Sequence, residues 1–66
     1  MTKKKIALEY KNRHLTRPML DEIVGAQLRQ VPDATEIIIR CRSVAKTALE
    51  AVDSYDGIRV TIVPNQ

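Results

Sequence analysis

Three consecutive β-branched residues, Ile37-Ile38-Ile39, lie inside an extended run from Thr35 to Arg42, with an amphipathic helical pattern on either side. A run apolar at successive positions suits a central strand with a neighbour on each edge. Upstream, Met19, Leu20, Ile23, Val24, Ala26, Leu28 and Val31 recur at three- and four-residue steps and form one stripe of a helix. Pro18 suits the first turn of that helix, where its missing N–H costs nothing, and Pro32-Asp33 closes it. Asp21 and Glu22 are expected near the positive end of its dipole. Downstream, Ser43 is the expected N-cap of a helix from Val44 to about Tyr55, with Val44, Ala45, Ala48, Leu49, Ala51 and Val52 as its buried stripe.

Two shorter alternating segments complete the pattern. Lys5–Tyr10 puts Ile6, Leu8 and Tyr10 on one face, and Ile58, Val60 and Ile62 alternate with Arg59 and Thr61 after an Asp56-Gly57 turn. The order is βαβαβ, which predicts a two-layer α/β fold. Right-handed crossovers would make the strands parallel in the order 1-2-3 and place both helices on one face of a three-stranded sheet. Lys5, Ala7, Glu9, Ile38, Arg40 and Thr61 would then line the open face. The segment Lys11–Arg17 reads as a polar, basic loop.

Sixty-six residues suffice for a single domain spanning residues 1–66, with 1–4 read as a basic tail. A domain of this size buries only about 60% of the surface its unfolded chain exposes, so a homodimer is expected to supply further burial. The single cysteine, Cys41, forbids an internal disulfide, and His14 is the sole histidine. No metal site, cofactor or small-molecule substrate is therefore expected, and a reducing, cytoplasmic setting fits. Met-Thr-Lys-Lys-Lys leads into no apolar signal segment, and no run is long enough to span a bilayer, so no membrane partner is expected. Charge is unevenly spread. Residues 1–17 carry six basic side chains against Glu9 alone, a net +5, whereas residues 18–66 carry five basic and seven acidic ones, a net −2. A basic front on a near-neutral body points to an anionic partner.

Parallel strands share a carboxyl edge, and ligands of open α/β sheets commonly bind beyond it. Lys11, Arg13, His14 and Arg17 after the first strand, and Arg40 and Arg42 at the end of the second, are expected to gather there. Both helices would also begin at that edge with unpaired N–H groups, which favour anions. Nucleic-acid phosphate is the expected ligand, contacted with little sequence preference because backbone contacts carry little base information. Tyr10 and Tyr55 are the only aromatics, too few for a base-stacking platform. Cys41 alternates with Arg40 and Arg42 and is expected in the core, not as a nucleophile. Two other classes stay open. One is a protein–protein or regulatory module that packs through Gly25 and the Ala-rich second helix. The other is a small anion-binding protein or enzyme, for which His14 would be the sole proton-transfer group. No catalytic residue is assigned.

From Arg17 to Tyr55 the chain resembles the Alba superfamily of small chromatin- and RNA-binding proteins. Thr16-Arg17-Pro18-Met19 is similar to the family's basic-basic-Pro-apolar helix opening. Thr35–Ala45 is similar to its strand, arginine and small-residue corner, and Ala48–Asp53 to the helix that follows. The C-terminal domain of a bacterial translation initiation factor shares the same plan. The resemblance implies a DNA- or RNA-binding role in which Arg17 and Arg42 occupy contact positions. The chain departs from the family pattern at Thr16, where a lysine is usual, and at Val44, where a second arginine is common. The family's long terminal β-hairpin has no counterpart, so the resemblance is to a minimal form.

Overall fold

The computed structural model describes residues 4–66, so the basic tail read at residues 1–4 lies, but for Lys4, outside the described residues. Strand β1 covers Lys5–Leu15, helix α1 Arg17–Gln30, strand β2 Glu36–Val44, helix α2 Lys46–Ala51 and strand β3 Arg59–Val63. A single 3₁₀ turn, Val52–Ser54, follows α2. All three strands are parallel in the order β1-β2-β3, with Ile37 opposite Ile6 and Val60, and Ile39 opposite Leu8 and Ile62. The Ile37–Ile39 run does occupy the centre. Its alternation sends Ile37, Ile39 and Cys41 into a core shared with Leu20 and Val24 of α1, Ala48 and Ala51 of α2, and Val60. Both helices thus cover the same face of the sheet.

The core thins toward β1. Ile37, Ile39 and Cys41 on β2 are wholly buried, whereas Ile6, Leu8 and Tyr10 on β1 are half-buried, because among the described residues no strand flanks the outer edge of β1. Burial also pushes the Cys41 thiol pKa up, as expected for a packed cysteine.

Several local expectations need correction. The segment after Tyr10 is not a loop: β1 continues to Leu15, and the pairing shifts register between Tyr10 and His14. Asn12 adopts φ 65°, a left-handed conformation that Asn tolerates, and this lets β1 bulge and still return Leu15 to the core at 0% exposure. Helix α1 begins at Arg17, so Asp21 and Glu22 fall in its second turn and its first turn holds no acid. Thr16 is its N-cap, its hydroxyl accepting from the Met19 N–H at 3.5 Å.

Ser43 is not an N-cap, because β2 runs through it to Val44. Helix α2 opens instead behind Ala45, which has no capping side chain, and it lasts only six residues before tightening into the 3₁₀ turn. Leu49 consequently points outward at 46% exposure rather than joining the buried stripe. Gly25 meets no close backbone: a Cβ there would find only the Arg29 side chain, at 3.8 Å. Gly57, by contrast, turns the chain into β3 at φ 77°.

Candidate functional site

At the amino edge of the sheet carboxylates hold Lys4 and Lys5, while Arg29 at the end of α1 and Arg59 opposite Glu36 are exposed and form no ion pair among the described residues. Lys4 Nζ lies 2.9 Å from Asp33 Oδ2, and Lys5 Nζ 3.8 Å from Glu36 Oε1. The Lys4 contact holds the Asp33 carboxyl below its ordinary pKa. The carboxyl edge differs. Lys11, Arg13, Arg17 and Arg42 are all exposed there, and none forms an ion pair among the described residues. The bulge in β1 accounts for part of this concentration. The pairing passes from Tyr10 opposite Cys41 directly to His14 opposite Ser43, so Lys11, Asn12 and Arg13 crowd beside Arg42 alone.

Arg40 departs from the expected group. It lies on the open sheet face with NH1 3.5 Å from Glu9 Oε1, so its charge is already answered within the sheet. Arg17 and Arg42 share the edge but not a side of it. Arg42 keeps the alternation of Ile38 and Arg40 and belongs to the open face, whereas Arg17 starts α1 in the helical layer. The expected single cluster is therefore a rim that wraps from one side of the sheet to the other.

His14 has a partner that its sequence neighbourhood does not reveal. Its Nδ1 and the Ser43 hydroxyl share a hydrogen bond of 2.8 Å, joining the bulged end of β1 to the end of β2. The only signal for it is the pairing register, which sets His14 opposite Ser43 once the bulge is counted. A hydroxyl and an imidazole at this distance have the geometry of a nucleophile and its base. No third group binds the other ring nitrogen among the described residues, so nothing orients the ring for that task.

Tyr55 closes the helical side. Its hydroxyl donates to Asp21 Oδ1, tying the 3₁₀ turn to the second turn of α1. Burial and this bond to a carboxylate push its pKa up to about 12, while the nearby Arg17 charge opposes the rise. Asp21 is thus occupied by a hydroxyl rather than by a guanidinium, which leaves Arg17 its full charge at the helix start.

A groove of about 290 Å³ lies between β1 and α1, lined by Tyr10, Met19, Glu22, Ile23, Ala26 and Gln27. Its walls are mainly apolar and its one charge is the Glu22 carboxylate, so it is unsuited to phosphate. Among the described residues no three acidic, His or Cys side chains gather into a metal-sized cluster, and no helix is long and apolar enough to cross a membrane. The chain matches no protein-family model, no curated protein and no solved structure with significance.

Proposed function

We propose that this chain binds nucleic acid, DNA or RNA, through backbone phosphates along the carboxyl rim of its sheet, and that it does so as a homodimer. The difference in number between the two edges carries the reading: carboxylates neutralise Lys4 and Lys5 at the amino edge and leave Arg29 and Arg59 unpaired there, while Lys11, Arg13, Arg17 and Arg42 stand free at the other. A denser group of unpaired cations at one edge raises the local positive potential that a polyanion would meet. The start of α1 adds its unpaired N–H groups beside Arg17. Contacts of this kind position a protein without reading sequence, so binding should be nearly indifferent to base composition. The role is that of an Alba-like protein associated with chromatin or RNA, acting as a binder and not as an enzyme.

The test is salt dependence. Arg42→Ala should weaken binding to all sequences about equally and reduce the slope of log K against log salt by about one for each phosphate no longer neutralised. In a dimer, where the substitution removes both copies of the arginine, the change approaches about two. Arg29, exposed in the last turn of α1, serves as the control, and Arg29→Ala should change the slope far less. Equal slopes for the two variants would show that only net charge matters and would reject the rim.

A further inference from the structure

All-parallel sheets are almost always covered on both faces, and this one is covered on one. The open face is ordered into three rows by the pairing register: Lys5, Glu36 and Arg59; then Ala7, Ile38 and Thr61; then Glu9, Arg40 and Val63. The middle row is uncharged, and its Ile38 and Thr61 are only half-buried. The outer rows carry the Lys5–Glu36 and Arg40–Glu9 ion pairs, with opposite polarity across β1 and β2. From this arrangement we infer that a second copy of the chain covers the open face, related by a two-fold axis that runs across the strands over the middle row.

The charge pattern selects both the occupant and the axis. Two identical sheets stacked face to face can be related by a two-fold axis along the strands or across them. An axis along β2 sets each row on itself with the strand order reversed. Lys5 would then face the partner's Arg59, while Glu36 and Arg40 would each face their own copies. Like charges in such juxtaposition oppose association.

An axis across the strands sets the first row on the third. Lys5 then meets the partner's Glu9, Glu36 meets the partner's Arg40, and the Arg59 stem covers the partner's Val63. The middle row meets itself, with Ile38 on the partner's Ile38. Each intrachain ion pair lies over one of opposite polarity, so a square of four alternating charges closes on either side of the apolar row. Stacked sheets lie about 10 Å apart, a gap that Lys, Arg and Glu side chains span from both sides. Covering Ile38, Thr61 and Val63 supplies the attraction, and the squares fix the orientation. Lys11 and Arg42, one step beyond the third row, remain outside the overlap at opposite ends of the pair.

The inference rests on the homodimer within the proposed function, but it is tested without nucleic acid, so its failure leaves the salt-slope test of the rim standing. The fourfold swap Lys5→Glu, Glu9→Lys, Glu36→Lys, Arg40→Glu preserves every intrachain pair and, in its own dimer, every cross-pair. The full chain and the swapped chain should each sediment as a dimer alone. When they are mixed, like charges face each other in the heterodimer. Native mass spectrometry should then find far fewer mixed dimers than the roughly one half given by random exchange. Ile38→Glu, which sets a carboxylate on its own copy, should leave a folded monomer by circular dichroism and sedimentation. Mixed dimers in random proportion, a full chain monomeric at hundreds of micromolar, or a dimeric Ile38→Glu would each overturn the inference.

Discussion

Leu15→Ala should be among the most damaging single substitutions in this chain, although sequence pattern alone places residue 15 in a polar loop. Leu15 is 0% exposed and belongs to the cluster formed by Leu20, Val24, Ile37, Ile39 and Cys41. Truncating a fully buried leucine loses the transfer energy of the deleted atoms and leaves a partly unfilled cavity, together about 3–5 kcal/mol. A 66-residue domain at typical stability per residue holds about 3–10 kcal/mol in total, so the substitution removes from about a third to all of that margin. Leu15→Val gives a graded measure, at about 1 kcal/mol. Leu49→Ala is the matched control because Leu49 is 46% exposed, and it should cost well under 1 kcal/mol. Urea titration followed by circular dichroism reads all three. If Leu15→Ala and Leu49→Ala shifted the midpoint equally, β1 would not return to the core after its bulge. The crowding of Lys11 and Arg13 beside Arg42 would then have no structural basis.

Gly25→Ala should stabilise the fold by about 1 kcal/mol, since the new methyl meets only the Arg29 side chain at 3.8 Å and helix propensity favours Ala. It should also leave association unchanged. Dissociation of the dimer by this variant would place the interface on α1 and not on the open sheet face. Tyr55 has a folded pKa of about 12, above its unfolded value near 10. Its contribution is therefore complete below about pH 10 and declines as pH rises toward about 12, because the unfolded chain releases the proton first. Tyr55→Phe should cost about 1 kcal/mol at neutral pH and make the alkaline decline shallower; an unchanged decline would show that folding does not raise the Tyr55 pKa.

What the sequence discloses and what it conceals divide along a physical line. The Ile37–Ile39 run, the alternation at Ile6, Leu8 and Tyr10, and the stripe containing Leu20 and Val24 are local periodicities, and each appears in the structure where its period places it. The errors arise where a tertiary contact overrides a local preference. Ser43 is a strong N-cap residue, but the register that sets His14 opposite it keeps β2 extended through Val44 and engages the hydroxyl in the strand pair. The loop reading of residues 11–17 fails for the same reason. Polar residues dominate there, yet one leucine near its end fills the core, and the Asn12 conformation takes up the extra chain length. A bulge is set by which residue must reach the interior, and composition does not report that.

The same distinction separates the rim from the open face. Net charge and chain order suffice to expect cations at the carboxyl edge, and Lys11, Arg13, Arg17 and Arg42 are there. Arg40 has the same sequence credentials as Arg42, two residues away on the same strand and the same side. The difference between them is Glu9, which register sets beside Arg40 and which no counting of basic residues would select. That pairing withdraws Arg40 from the rim and makes it one corner of a pattern that is self-complementary about a single axis. Arg40→Ala and Arg42→Ala should therefore separate two properties that net charge would lump together. Each removes one positive charge, but Arg42→Ala should lower the salt slope of nucleic-acid binding at unchanged dimer affinity. Arg40→Ala should weaken self-association in the absence of any nucleic acid, since it leaves the partner's Glu36 without its opposing charge. Titrations that showed both variants impaired in the same property to the same extent would mean that the carboxyl rim and the open face are one surface, and that the division drawn between Arg40 and Arg42 is wrong.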